Sequence, residues 1–291
     1  MSIPNINEGR FLPNETGRLQ IQGALRSATE ATETSHDLML RFLNMQLELT
    51  VVRIGCDLGL FRILTESNEL TFNISGPVYQ ALPDTLKENG YTDRDKTLAW
   101  NNGFSTELPF FPWAKQHPDH LKWSQSLMSV PREGDWLNVF SVSSLAENVA
   151  IDQALFVDVG GNIGHQSAHL RARYPDLPGR IIVQDLPETI QAAPAVEGVE
   201  HMAHNFFQPQ PIVGAKAYYL RTVLHDWNDE KSLEILGNLV LAMSPDSLIL
   251  IDDMALPDTE VHWWSACLDM HMLAMLGAHE LTESQWLLLL D

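Results

Sequence analysis

After Pro131 the chain changes rhythm. ALFVDVGG (154–161), GRIIVQD (179–185), AKAYYLR (215–221) and SLILIDD (247–253) are short apolar runs with helical or loop stretches between them. A strand apolar on both faces is buried on both faces, so these runs predict a parallel sheet covered by helices on either side. Stretches 164–173 and 230–243 carry the covering helices. The fold class expected is α/β, a Rossmann-like doubly wound sheet preceded by a mainly helical region. In that region the crowded apolar positions from His36 to Leu64 predict a helical pair broken near Gly55 or Gly59, which is packing or dimerisation material and leaves a homodimer open. Prolines 77, 83, 109, 112, 118 and 131 interrupt residues 66–136 and predict short helices with turns between them. Residues 1–35 are polar and weakly periodic, a loose arm. The chain therefore divides into 1–35, a helical 36–136 region and a 137–291 sheet domain.

Composition narrows the function classes. The 291 residues are 45% hydrophobic and 19% charged, an ordinary globular balance. A net charge of −20 sets most of the surface against a phosphate backbone, which disfavours general nucleic-acid binding. Cys56 and Cys267 stand far apart and outside any paired motif, so neither a disulfide framework nor a cysteine zinc site is expected. No run of 18 apolar residues occurs, and the start MSIPNINEGRFLPNE lacks a signal-peptide pattern; a cytoplasmic protein without a membrane span is expected.

The strongest chemical signal is FVDVGGNIGH, residues 156–165, a strand running through a glycine turn into a helix near Ile163 or Gly164. Glycines let the backbone approach a ligand, and a helix start offers free N–H groups, so a nucleotide-like cofactor fits here. The dinucleotide pattern GxGxxG fails, because Asn162 or Ile163 falls where its second glycine belongs, and a nicotinamide enzyme is the weaker alternative. Asp185 ends the next strand, where a carboxylate can hold two ribose hydroxyls or, alternatively, cap the turn before Pro187. His225 lies just past AKAYYLR and Asp253 just past SLILID; neighbouring parallel strands would bring both to the carboxyl edge. An imidazole with a pKa of about 6.5 can deprotonate a phenol whose own pKa is about 10. The alternative for His225 is a place beside a helix cap in HDWNDE.

FVDVGGNIG, YPDL, VQDLPETI, HNFFQPQP, AYYLRTVLHDWNDE, LILIDDMALPD and ELTESQW together resemble the S-adenosylmethionine-dependent O-methyltransferases of plant and fungal secondary metabolism, the caffeate and flavonoid type. The resemblance implies S-adenosyl-L-methionine as cofactor and a small hydroxylated acceptor as partner. It places Gly160 and Gly161 at the amino-acid end of the cofactor, Asp185 at the ribose, Asn205 and Phe206 at the adenine, and Arg221 among the cofactor residues. It also implies a base, His225, flanked by Asp253 and Glu280, and puts Met128 in the acceptor pocket; among the aromatics of 100–136, Trp123 and Phe104 are further pocket candidates, although such rings more often fill a core. His271 and His279 read as core or pocket histidines rather than metal ligands.

Three departures from the family pattern stand out. Asn162 replaces a third glycine and Asn205 replaces the usual aspartate; by the resemblance, the family's winged-helix segment between 67 and 76 and its closing strands beyond Asp291 are expected to be shortened. The function expected is O-methylation of an aromatic or polyketide-like hydroxyl. Two alternatives are a cofactor-binding pericyclase that moves no methyl group and an inactive shortened homologue.

Overall fold

The computed structural model describes residues 74–91, 97–120, 135–147 and 149–291, with five isolated residues of the arm, Ala24, Ser27, Ala28, Thr32 and Thr34. Residues 36–64, Trp123 and Met128 lie outside them. Met1–Asn68 and Glu69–Asp291 form separate compact units, and all that follows concerns the second.

Five strands build one parallel sheet: β1 (Ala154–Val159), β2 (Arg180–Asp185), β3 (Glu200–Ala203), β4 (Ala217–Arg221) and β5 (Leu248–Asp252). Their order is β3-β2-β1-β4-β5. The order reverses direction between β1 and β4, which opens a crevice at the carboxyl edge there. Registers Asp185 with Ala203 and Arg221 with Asp252 align the strand ends along that edge. The four apolar runs are four of these strands, each one or two residues shorter than the predicted run. The fifth, β3, is a finding the pattern did not supply: EHMA is a half-exposed edge strand with no apolar run to betray it.

Alternation along the strands feeds two cores. Val157, Val159, Ile182, Tyr218 and Leu220 meet Ile235, Leu236 and Leu239 of α6 (Asp229–Val240) on one face. Leu155, Phe156, Ile181 and Tyr219 meet Leu170 of α4 (His165–Arg173) and Trp136, Leu137 and Val142 of two short turns on the other. Between β2 and β3 runs α5 (Pro187–Ala192).

The helical region contributes α1 (Gly76–Glu88), α2 (Ala99–Phe104) and α3 (Phe110–Lys115). Their buried Ile74, Val78, Trp100, Phe110 and Trp113 pack with Ala274 and Met275 of α7 (Trp263–Leu276). Pro83 does not end its helix as expected. It sits inside the 13 residues of α1, where its ring removes one N–H donor and the packing of Val78 and Thr85 holds the helix across the gap. The last helix is α8 (Glu283–Leu290), started by a reciprocal cap between Thr282 and Gln285.

Candidate functional site

Beyond β1 the backbone turns through Gly160 (φ +70°), Asn162 (φ +54°) and Gly164 (φ +87°) before entering α4. Gly160 and Gly161 donate their N–H groups to the Gln184 carbonyl at 2.9 and 3.1 Å. Asn162 donates its N–H to Asp185 Oδ2 at 2.9 Å, and Leu186 donates to Asp185 Oδ1 at 2.7 Å. Asp185 thus welds the glycine turn to the end of β2, and the capping alternative for it is realised as well. A Cβ on Gly161 would stand 2.5 Å from the Asp158 carboxyl carbon, and one on Gly160 would stand 2.9 Å from Val223 Cγ2 and 3.5 Å from the Phe206 ring. The turn is therefore a close-fitting cradle of bare backbone, and Asn162 takes the left-handed conformation that its amide tolerates. Asp158, 1% exposed, accepts from Ser167 Oγ at 2.8 Å. Burial, reinforced by the nearby Asp185 charge, pushes its carboxyl up to about 7 against that hydrogen bond.

On the far side of the turn, after β3, His204 donates its N–H to the Asp185 carbonyl at 2.9 Å while its Nε2 is buried without a partner, and burial holds its ring below the usual imidazole range. Asn205 is exposed, its Oδ1 accepting the Phe207 N–H at 3.1 Å. Phe206 and Phe207 both present their rings edge-on to Trp227, with centroids 6.0 and 4.8 Å apart. Arg221 pairs with Asp252 at 2.9 Å, and the Tyr219 hydroxyl donates to the same carboxyl oxygen at 2.5 Å, tying β4 to β5. These groups suit a nucleoside: bare backbone for close approach, a carboxylate for paired hydroxyls, and aromatic surface for a base.

From Arg221 the chain passes through a short turn, Leu224–Asp226, to α6. Asn228 caps that helix by accepting the Lys231 N–H at 3.0 Å, so the cap needs nothing from His225. Instead His225, 8% exposed, donates from Nδ1 to Glu280 Oε1 at 2.8 Å, and its Nε2 lies 3.5 Å from Asp226 Oδ1. Glu280, 3% exposed, comes from the loop after α7. Two observations explain its place. Its N–H donates to Asp269 Oδ1 at 3.0 Å, and a parallel bridge between Leu256 and Thr282 ties the following residues to the exit of β5. Asp253 stands there too, with no hydrogen bond to the ring, so it acts on His225 through charge rather than contact.

The electrostatics follow. Burial works against a charged His225, yet the Glu280 hydrogen bond and the charges of Asp226, Asp253 and Glu280 outweigh it and lift the ring to about 9. Burial and the Glu280 charge, moderated by His225, push Asp253 up to about 6. A base must be neutral to accept a proton, so the raised value moves the rising limb of a pH–rate profile upward. The kcat/KM profile is expected to rise with a midpoint near 9, and Glu280→Gln, which removes a carboxylate hydrogen bond and its charge, is expected to move it at least a unit lower. An unmoved limb in that variant would separate Glu280 from the base.

The structure thus brings His225, Asp253 and Glu280 together, and separately gathers Gly160, Gly161, Asp185, Asn205 and Phe206 round the glycine turn. Phe104 stacks on Trp100 at 4.3 Å and edges Trp113 at 4.9 Å within the helical core. A cleft of about 270 Å³ opens on His225 between Leu224, Trp227, His279 and Trp286. Sequence reasoning missed Asp158, His204 and Asp226. The first carried a signal, a charge in the middle of an otherwise apolar strand; the last is the second letter of HDW.

The chain matches the O-methyltransferase domain family over residues 95–291. Demethylsterigmatocystin 6-O-methyltransferase of Aspergillus parasiticus is 36% identical to it, over 97% of this chain and 89% of that protein. O-methyltransferase lepI of Aspergillus flavus is 32% identical over 94% and 87%. Among solved structures, LepI in complex with SAM superposes with a TM-score of 0.88 at 31% identity, covering 95% of this chain and 88% of that one; a structure described as a pericyclic reaction enzyme matches equally. OxaC in complex with SAH and oxaline gives 0.70 at 28% identity, over 77% and 59%. The chain belongs to the S-adenosylmethionine-dependent O-methyltransferase family.

Proposed function

We propose that this chain methylates a hydroxyl of a small aromatic or polyketide-like secondary metabolite, with His225 as the base. The observation that carries the proposal is the buried 2.8 Å bond between His225 Nδ1 and Glu280, at the same sheet edge as the glycine turn. S-adenosylmethionine, when bound, supplies an electrophilic methyl group. Gly160 and Gly161 give its amino-acid end room against the backbone. Each oxygen of Asp185 already accepts one N–H and keeps capacity for a ribose hydroxyl. Asn205 and Phe206 flank the adenine, and Arg221 steadies the edge through Asp252. Because Nδ1–H is committed to Glu280, the acceptor's proton goes to Nε2. The imidazolium so formed is stabilised by Glu280 and by the charges of Asp226 and Asp253.

The name of the Aspergillus parasiticus relative, a demethylsterigmatocystin 6-O-methyltransferase, supports methyl transfer to an oxygen of a small molecule. Met128, Trp123 and Phe104 remain candidates for its pocket, and a homodimer resting on residues 36–64 and a cytoplasmic location remain part of the proposal. No helix of the described residues is long and apolar enough to cross a membrane. Purified protein given methyl-labelled cofactor and a panel of phenols is expected to transfer label. Turnover with the label left on the cofactor would favour the second reading, a pericyclic reaction, which the likeness to the solved pericyclic reaction enzyme supports. Asp185→Ala is expected to weaken S-adenosylhomocysteine binding by roughly 2 kcal/mol through lost charge-assisted hydrogen bonds, read by calorimetry. Unchanged affinity would remove Asp185 from the site.

A further inference from the structure

Helix α3 has two working faces. Phe110, Trp113 and Ala114 are buried in the helical core. Phe111 and Lys115, four residues apart and so neighbours on the helix surface, point instead at the sheet domain. The Phe111 ring stacks on Trp227 with centroids 6.1 Å apart and planes 22° apart, and Lys115 Nζ pairs with Glu188 Oε1 at 2.5 Å. Lys115 accordingly holds the Glu188 carboxyl below its ordinary range.

These two attachments land on opposite sides of the glycine turn. Glu188 stands in the first turn of α5, directly after Asp185 and Leu186, and its charge is felt at Asp185. Trp227 is in contact with Phe206, whose ring lies against Gly160. One short helix therefore links the β2 side of the crevice to the β4 side.

We propose that α3 is a latch across the cofactor crevice, with Phe111 and Lys115 as positioning residues that set how fast the spent cofactor leaves. This rests on the cofactor reading above. Opening requires Phe111 to leave Trp227, which also lines the His225 cleft, and Lys115 to leave Glu188. Both members of the ion pair are over two-fifths exposed, so its share is modest and sensitive to salt, while the ring contact is the larger restraint.

The test is the release rate of S-adenosylhomocysteine, followed by tryptophan fluorescence after a chase of unbound competitor. Lys115→Met and Glu188→Gln are each expected to speed release roughly 2- to 5-fold. Phe111→Leu is expected to speed it about 10-fold. The exchanged pair Lys115→Glu with Glu188→Lys is expected to restore the original rate, which a merely structural role would not do. Raising salt is expected to accelerate release from the unaltered chain and to leave Lys115→Met unmoved. Equal release rates in all variants that still bind overturn the latch alone. Failure of the unaltered chain to bind S-adenosylhomocysteine overturns the cofactor reading and the latch with it.

Discussion

Replacing His225 with alanine is expected to lower kcat by about 10²- to 10⁴-fold, the range a positioned base contributes. The loss belongs to kcat because the ring takes a proton only as the new bond to oxygen forms. Two controls make the result specific. The variant's residual rate should climb with pH until it reaches the acceptor's own ionisation, at a pKa of about 10 for a phenol, since the acceptor must then deprotonate unaided. Glu280 should also suffer. At 3% exposure with Oε2 already lacking a partner, it loses the cation to which Oε1 is hydrogen-bonded. Removing one partner of a buried pair costs about 3 to 5 kcal/mol, so a lower melting temperature is expected, and His225→Gln, which keeps a donor near Glu280, should recover part of that stability without recovering kcat. A His225→Ala enzyme that is folded and keeps more than a tenth of its rate would end the base assignment.

The stability linked to His225 has a definite sign. Its folded value is raised from 6.5 to about 9, so the contribution is complete below about 6.5 and disappears as pH rises through 9. The pH at which the base is best prepared to work is thus the pH at which it stabilises the fold least. That opposition is expected wherever a structural ion pair doubles as a catalytic one.

How much of this could be read in the sequence depended on the range of the interaction. Runs such as ALFVDV announce themselves because burial on both faces leaves few polar positions, here Asp158 alone, and the glycine turn does so because few residues other than glycine adopt its backbone. The half-exposed β3 was invisible for the converse reason. His225 and Asp253 could be paired from topology alone, since β4 and β5 are neighbours. Glu280 could not: 55 residues separate it from His225, and the Asp269 contact and the Leu256–Thr282 bridge that deliver it follow no periodicity. Only the family likeness pointed to it, and the structure gives it the hydrogen bond while leaving Asp253 a purely electrostatic neighbour. Phe104 shows the limit of composition, since the ring proposed for a pocket also packs against Trp100 and Trp113, and aromatic density alone does not separate the two uses.

Gly161→Ala is expected to abolish tight cofactor binding with a single methyl group. The new carbon would stand 2.5 Å from Asp158 Cγ and 2.8 Å from both of its oxygens, well inside any tolerated contact. Asp158 cannot retreat, because it is 1% exposed in the middle of β1 and held by Ser167. The turn must move instead, and with it the Gly161 bond to Gln184 and the Asn162 bond to Asp185. Overpacking of this kind costs about 1 to 3 kcal/mol of stability. Displacing both the backbone cradle and the ribose carboxylate should weaken S-adenosylhomocysteine by about 100-fold or more, near 3 kcal/mol. The cause can be isolated by a double-mutant cycle, because Asp158→Ala removes the atoms that clash. That second change has its own signature: the carboxyl is raised from 3.8 to about 7, so the stability tied to its protonation is complete below about 3.8 and lost as pH rises through 7, and the alanine variant should lack this decline. If Gly161→Ala binds as the unaltered chain does, or if Asp158→Ala fails to restore any of the lost affinity, the close approach at the turn is not what shapes the cofactor site.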